Sequence, residues 1–580
     1  MIPSDNPARF IKQDLRNLVA QCLKVRSPAF RRRDSRLKAG LPANTLLLPL
    51  LLAAPVAWGG ADEATFAIKR YQIEGNTLIP QAEAEAAVQG LTCSSCAFET
   101  VEKAIEALQN RYREAGHGTV LVTVPEQELT EGVIRLQVIE PRIESVQVQY
   151  DPPEGKESFD EANIRASLPA LREGETVHTP EVSGNIQLAN ENPAKRIEAV
   201  LKTEDDPARL QSAVQVTASP ARKVFFTLDN TGTDTTGEYR MGIGFQHANL
   251  FGLDHVVTLN YITPVERPTD TNLYSASYRI PLYSLGDSID LIVSKSDVNA
   301  ATTATVAGPL QFAGSGEVYG ARYNLLLPRW GEYTHRLVFG LDYWEINNQC
   351  SVGTLGSQGC GPSAADLTLI PASLTYNSQW IQAAQFVDFS FSFLHNIPGG
   401  PNGSPGDYRA SRPANIGTSG APADFYLLRA SLSWTRAVFD DWQVRLAANG
   451  QFTSDSLAYV QRFGLVGSSA VRGFYEREVT RDTGVVLNTE VYTPNYAPAM
   501  GVGDNFRGLA FFDYGHGRNN PLPGELDQTI DLASVGAGFQ FGFRNSFQLR
   551  FNGAYVLEGA SIHKTGDARA HLAVYLPFGF

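Results

Sequence analysis

The residues with most capacity for chemistry in this chain are few and widely spaced. Ser468-Ser469-Ala470-Val471-Arg472-Gly473-Phe474 sets one arginine among small and apolar neighbours, and Phe511-x-Asp513-x-Gly515 follows about forty residues later. A lone guanidinium in such company is either solvated in a loop or buried against a carboxylate, and the buried alternative asks for a two-point hydrogen-bonded contact. Gly473 would let the backbone turn where a side chain would collide. Two local cysteine pairs, Cys93 with Cys96 and Cys350 with Cys360, most simply close small disulfide loops in an oxidising compartment. Cys93-Ser94-Ser95-Cys96 also has the spacing of a redox site, although no βαβ pattern surrounds it. His516 lies three residues from Asp513, a spacing that puts them on opposite faces of a strand. No Gly-x-Ser-x-Gly elbow or metal-spaced histidine pair stands out, so no catalytic residue, metal or cofactor is expected. The chemistry on offer is electrostatic and conformational.

The elements that must hold these residues are foreshadowed by composition. The 580 residues exceed one ordinary domain. Hydrophobic residues make up 43% and charged ones 19%, yet no long apolar run lies beyond the N-terminal region. That argues against membrane-spanning helices and leaves open a β-barrel, whose lipid-facing residues are diluted by polar lumen residues. Arg31-Arg32-Arg33, Arg36 and Lys38 precede an apolar run from Leu46 to Trp58 and the small residues Gly59-Gly60-Ala61. Residues 1–61 therefore read as an extended signal peptide cleaved after Ala61. Its removal takes ten basic and three acidic residues from a chain whose net charge is already −13, which does not invite nucleic acid.

From Phe66 the pattern is a strand (Ala67–Ile73), two helices (Gln81–Gln89 and Phe98–Ala115) and two strands (Thr119–Val124 and Gly132–Ile139). Phe98, Val101, Ile105, Leu108 and Tyr112 share one face of the second helix, and Gly116 and Gly118 stop it. The same order returns as a strand from Ile143 to Tyr150, helices over Phe159–Leu171 and Pro180–Asn192, and strands over Lys195–Lys202 and Leu210–Thr217. Two consecutive units with one element order form a repeat, here of α+β domains over 62–142 and 143–220.

From Val224 the period changes to two. Tyr426, Leu428, Ala430, Leu432 and Trp434 alternate with Leu427, Arg429, Ser431, Ser433 and Thr435, and Phe389, Phe391 and Phe393 with Asp388, Ser390 and Ser392. One face suits lipid and the other water, and aromatics near strand ends suit membrane-interface girdles. Short connections such as Tyr283-Ser284-Leu285-Gly286-Asp287 contrast with long ones such as Asn396 to Ala423. At roughly 22 residues per strand with its connection, residues 221–580 predict a transmembrane antiparallel barrel of about sixteen strands. Gln461 to Gly484 is too long and irregular for a strand, so the Arg472 segment belongs to a loop, spanning 455–484, between strands at Trp442–Thr453 and Val485–Tyr492.

Several of these runs resemble a known family. Tyr112-Arg113-Glu114-Ala115-Gly116, Val120–Val124, Pro125-Glu126-Gln127 and Gly132-Val133-Ile134 resemble the first POTRA domain of two-partner secretion transporters, the TpsB family. Asp229-Asn230-Thr231-Gly232, Thr236-Gly237, Arg240 and Asn249-Leu250-Phe251-Gly252-Leu253-Asp254 resemble the start of the TpsB barrel, although each glycine and asparagine also reads as a turn residue. The Val471-Arg472-Gly473-Phe474 run is similar to the tip of the TpsB loop that folds back into the barrel. Phe511-x-Asp513-x-Gly515 is similar to the inward-facing strand motif with which that tip arginine pairs.

The resemblance implies two periplasmic POTRA domains and a barrel in the outer membrane of a Gram-negative bacterium. It implies a secreted TpsA-like partner captured unfolded and exported without ATP, with Arg472 and Asp513 controlling the pore. The terminal run Leu572, Val574, Leu576, Phe578, Phe580 resembles the signal read by the barrel assembly machinery. A monomer embedded in outer-membrane lipid is expected. An outer-membrane assembly or insertion factor is the alternative. Only Asp62 to Thr65 separate the expected cleavage point from the first strand, so either pore-plugging falls to the loop or cleavage occurs elsewhere.

Overall fold

The computed structural model describes residues 65–580 apart from 129–130, 204–205, 234–236, 269–271, 297–300, 306–307, 313–315, 348–364 and 545. The expected signal peptide lies outside the described residues. So do Cys350 and Cys360, the two cysteines of the second expected disulfide.

The first domain opens with β1 (Phe66–Ile68) and β2 (Arg70–Glu74), where the sequence predicts one strand. The break at Lys69 has a cause: its N–H donates to the Gly132 carbonyl at 2.7 Å, and the chain changes partners there. β1 pairs with β3 (Cys93–Cys96), whose two cysteines are joined by a disulfide. β2 runs parallel to β5 (Val133–Ile139), which pairs antiparallel with β4 (Leu121–Thr123). Helices Gln81–Val88 and Phe98–Glu114 supply Ala84, Val88, Val101, Ala104, Leu108 and Tyr112 to a core with Ile134, Leu136 and Val138. The buried stripe of the longer helix is set slightly off the expected one, since Phe98 is 56% exposed and Ala104 is fully buried. Fully burying a side chain such as Leu108 contributes about 1.5–3 kcal/mol.

The second domain repeats this topology. β6 (Arg142–Tyr150) runs parallel to β8 (Arg209–Ala218), which pairs antiparallel with β7 (Lys195–Thr203). Helices Glu161–Ala166 and Thr179–Ala189 pack against the sheet, Phe159 and Ile164 being fully buried. The first of these is far shorter than the predicted Phe159–Leu171. Asp160 caps its start by accepting from the Asn163 N–H at 2.7 Å, and Pro169 disfavours helical backbone at the residue before it.

The remaining strands close into one antiparallel barrel. In chain order they are β9 (Arg222–Asp229), β10 (Arg240–Leu250), β11 (His255–Pro264), β12 (Leu273–Leu282) and β13 (Asp287–Ser296); a hairpin of β14 (Ala301–Thr305) and β15 (Gly308–Phe312) stands outside the ring. There follow β16 (Gly316–Leu326), β17 (Tyr333–Ile346), β18 (Leu367–Leu369), β19 (Pro371–Gln382), β20 (Gln385–Asn396), β21 (Tyr426–Ala437) and β22 (Gln443–Phe452). The two-residue pair β23 (Phe463–Gly464) and β24 (Thr480–Arg481) lies off the wall, and β25 (Thr483–Tyr492), β26 (Asn505–Arg518), β27 (Thr529–Phe543), β28 (Phe547–Glu558) and β29 (Ala568–Gly579) complete it. β18 and β19 both pair with β17 and form one staggered wall strand, so the barrel has sixteen, as the spacing predicts. β29 closes onto β9, with Phe578 opposite Val224.

Phe389, Phe391 and Phe393 point outward and are exposed, as are Leu432, Leu446 and Leu487 on later strands. Trp330, Phe439 and Trp442 lie near the end where the second domain attaches, and Tyr274, Tyr319 and Tyr426 near the other. This is the alternation and girdle pattern of a barrel facing lipid. The long connection Asn396–Ala423 contains a short helix, Pro405–Ser411, capped reciprocally by Ser404 and Asp407.

Candidate functional site

The chain between β22 and β25 turns back into the barrel and packs against its wall. Leu465, Val466, Val471, Phe474 and Val479 of this loop join Val486, Leu532 and Val556 of the strands in one buried cluster. Apolar contact seats the segment, and the polar groups then fix its register.

Arg472 is 2% exposed. Its Nε and Nη2 donate to Asp513 Oδ2 and Oδ1, both at 2.7 Å, and its backbone N–H donates to Oδ2 at 3.2 Å. Nη1 lies 2.9 Å from Glu490 Oε1, and the guanidinium carbon stacks 3.5 Å from the centre of the Phe511 ring. The arginine is thus held edge-on by two carboxylates and flat by an aromatic face. Asn488 donates to Asp513 Oδ1 at 2.8 Å and to the Ala470 carbonyl at 2.9 Å, tying loop and wall through one amide.

Backbone geometry makes room for this. Gly473 has φ +103°, a region L side chains rarely adopt, and a Cβ there would lie 3.0 Å from Val556 Cγ2. Its N–H donates to His571 Nε2 at 2.9 Å. A Cβ on Gly515 would come 2.8 Å from Val471 Cγ2, and one on Gly536 would come 2.3 Å from the Phe511 ring.

Val471, Arg472, Gly473, Phe474, Phe511, Asp513 and Gly515 therefore sit in one place. Phe578 and Phe580 do not: they lie at the end of β29 nearest the second domain, Phe578 packing edge-on against Phe226 at 6.1 Å. Cys93 and Cys96 lie in the first domain, where their disulfide ties the ends of β3. The other expected disulfide partners, Cys350 and Cys360, fall between β17 and β18, in a connection outside the described residues.

Sequence reasoning missed the reach of Glu490. It also accepts from Arg445 Nη1 at 2.9 Å, Arg550 Nη2 at 3.3 Å and the Tyr492 hydroxyl at 2.7 Å. The available signal was alternation, since Asn488 and Glu490 put two polar residues on the inward face of β25. A second missed hub lies where the loop leaves the mouth farther from the second domain. Arg412, just after helix Pro405–Ser411, pairs with Asp482 at 2.8 Å and Glu525 at 3.0 Å, and donates to the Leu457 carbonyl at 3.1 Å. Asp482 also accepts from the Leu457 and Asn520 N–H groups, so the stem of the inward loop is clamped by two neighbouring connections. Among the described residues no group of three or more His, Cys, Asp or Glu side chains could hold a metal ion.

A closed, lipid-facing barrel with a loop returned into its lumen, preceded in the chain by two mixed α/β modules, is an outer-membrane transporter with those modules in the periplasm. The chain belongs to the haemolysin secretion/activation protein family, ShlB/FhaC/HecB, whose model matches residues 211–541; residues 66–141 match the ShlB-type POTRA domain. The outer membrane transporter CdiB of Dickeya dadantii is 25% identical over 191 residues, 32% of each chain. CdiB of Escherichia coli O6:K15:H31 is 22% identical over 449 residues, 76% of this chain and 71% of that one. The solved structure of CdiB from Escherichia coli shares the fold at 18% identity, with a TM-score of 0.70 over 100% of this chain and 99% of that one. The chain is therefore an outer-membrane transporter that moves a partner protein through its barrel.

Proposed function

We propose that the POTRA domains take up an unfolded secreted partner of TpsA type, and that this chain passes through the barrel when loop 455–484 is displaced. Arg472 and Asp513 set the resting position of the loop. The observation that carries this reading is the fork between their side chains, dry and joined by a second carboxylate. Breaking one half of such a pair leaves a buried charge without its partner, commonly at about 3–5 kcal/mol. Folding of the partner outside the cell supplies the direction of travel. The aromatic end at Phe578 and Phe580 presents β29 to the barrel assembly machinery. Because β29 closes on β9, the wall needs no second copy, and the transporter works as a monomer in outer-membrane lipid.

The test is export of the partner by cells carrying wild-type or Arg472→Ala transporter. Export by the wild type and its loss in the variant, with the barrel still assembled, support the reading; equal export by both removes the loop from the mechanism. Uptake is tested separately by photocrosslinking the partner to the first domain.

A further inference from the structure

Asn249-Leu250-Phe251-Gly252-Leu253-Asp254 reads in the sequence as a turn former and resembles the start of the TpsB barrel. In the structure it connects β10 to β11 at the periplasmic rim and is gripped by the second POTRA domain. Three asparagines of that domain, each nearly buried, aim side-chain amides at backbone carbonyls of the barrel. Asn163 donates to Gly252 at 2.8 Å, Asn192 to Ala248 at 2.6 Å, and Asn185 to Tyr283 in the next periplasmic turn at 2.9 Å. The oxygen of each faces back into its own domain. Asn185 accepts from the Ala170 N–H and Asn192 from the Ala194 N–H, both at 3.0 Å, while Asn163 accepts from Lys195 at 3.4 Å. An amide held at both ends in this way has little freedom to reorient.

At the centre of the joint Lys195 of β7 pairs with Asp254 of the turn, their side chains 0% and 1% exposed. The Tyr283 hydroxyl donates to the same carboxylate oxygen at 2.6 Å, and the Asp254 N–H donates to Asn249 at 2.9 Å. Phe251, Gly252 and Asp254 have φ near +60 to +71°, so two residues with side chains occupy a region that favours glycine. The contact extends into the lumen: Glu191, just after helix Thr179–Ala189, reaches Arg279 of β12 at 3.2 Å and Arg336 of β17 at 2.9 Å, and Arg279 is forked onto Asp290.

We propose that Lys195 and Asp254 form a pin that holds the second POTRA domain on the β10–β11 turn, and that both are positioning residues for hand-over of the exported chain to the pore. This rests on the uptake reading above. A solvated contact would serve if the domain only needed tethering, because the chain already joins it to β9. A dry ion pair flanked by three oriented amides specifies one pose.

The experiment uses the full-length transporter in outer membranes, with three readouts: partner export, heat-modifiable migration of the folded barrel, and hydrogen exchange across residues 249–254. Lys195→Met is expected to lower export at least tenfold and to speed exchange in the turn, with heat-modifiable migration retained. Adding Asp254→Leu and Tyr283→Phe removes the stranded carboxylate and the hydroxyl that served it, and is expected to bring both readouts back to within about threefold of wild type, because a buried pair can be replaced by apolar groups of similar volume. Unchanged exchange in Lys195→Met overturns the pin. Faster exchange with normal export overturns the positioning role, as does loss of heat-modifiable migration in both variants. The uptake reading falls separately, by absent crosslinking of the partner to the first domain.

Discussion

Two buried cation–carboxylate contacts divide this molecule between them, and they are built on different plans. At the inward loop a planar guanidinium meets Asp513 at two points and Glu490 at a third, with Phe511 beneath it and Asn488 bracing the carboxylate. At the periplasmic joint a single ammonium meets a single carboxylate, and the Oδ1 of Asp254 has no hydrogen-bond partner among the described residues. Burial pulls the Lys195 pKa below the ordinary lysine range, and Asp254 only partly restores it. The first contact has a second carboxylate beside it and the second has only neutral neighbours, Asn163 and Tyr283. On the proposed reading, a loop that is displaced and returns benefits from several ways to be caught, whereas a fixed joint needs one pose.

The sharpest way to break this comparison is to remove one partner from each. Lys195→Met strands Asp254 and is expected to weaken the joint by about 3–5 kcal/mol, read as exchange at the Asp254 amide at least a hundredfold faster. Asp513→Asn keeps its shape, and Glu490, though shared with Arg445 and Arg550, still lies 2.9 Å from Arg472, so the expected loss is smaller, about 1.5–3 kcal/mol. It would appear in planar-bilayer recordings as a shorter closed lifetime. Equal sensitivity of the two sites would contradict the contrast.

A smaller effect separates packing from charge at the loop. Gly515→Ala pushes a methyl against Val471 and is expected to cost about 1–2 kcal/mol of loop seating, with Val471→Ala in the same chain recovering most of it. No recovery would mean that the strand rather than the loop had moved. The smallest effect lies in the first domain. Burial raises the pKa of Glu140, but hydrogen bonds from the Thr77 hydroxyl and N–H, the Leu78 N–H and the Tyr112 hydroxyl outweigh it, leaving the pKa below the ordinary value. Its stabilisation is complete above the ordinary carboxylate range and is lost as pH falls through that range toward the lower folded value. Pulse proteolysis in urea should show the first domain weakening over that window in the wild type and much less in Glu140→Gln.

How much of this was legible follows from the range over which each interaction acts. Alternation from Tyr426 to Thr435 is local, and the sixteen-strand barrel was readable from such runs and their spacing. The two α+β repeats were readable too, because the order of elements survives errors in their ends. Arg472 and Asp513 stood out only because two short motifs resembled a family pattern together. Lys195 gave no such signal, since a lysine opening an amphipathic strand looks solvated, and the family-like run ending in Asp254 looked like turn chemistry without pointing to a partner. Only the fold across 59 residues makes them partners. Ser404-Pro405-Gly406-Asp407 did carry a helix-start pattern, but a long connection between strands hid it.

One feature of β26 bears on how closely the loop seats. Beneath the loop that strand offers glycines at 515 and 517, where a Cβ would press to within 2.8 Å of Val471 and 2.7 Å of Leu465. On the same face Phe511 and Asp513 follow, so the bare stretch is bounded by side chains. Over it Val471 and Leu465 lie directly against backbone, and the loop seats closer to β26 than side chains at 515 and 517 would allow. On the proposed reading the glycines set how closely the loop seats and the charges how long it stays, so the threshold for opening would be retuned at Arg472 and the seating at Gly515 and Gly517.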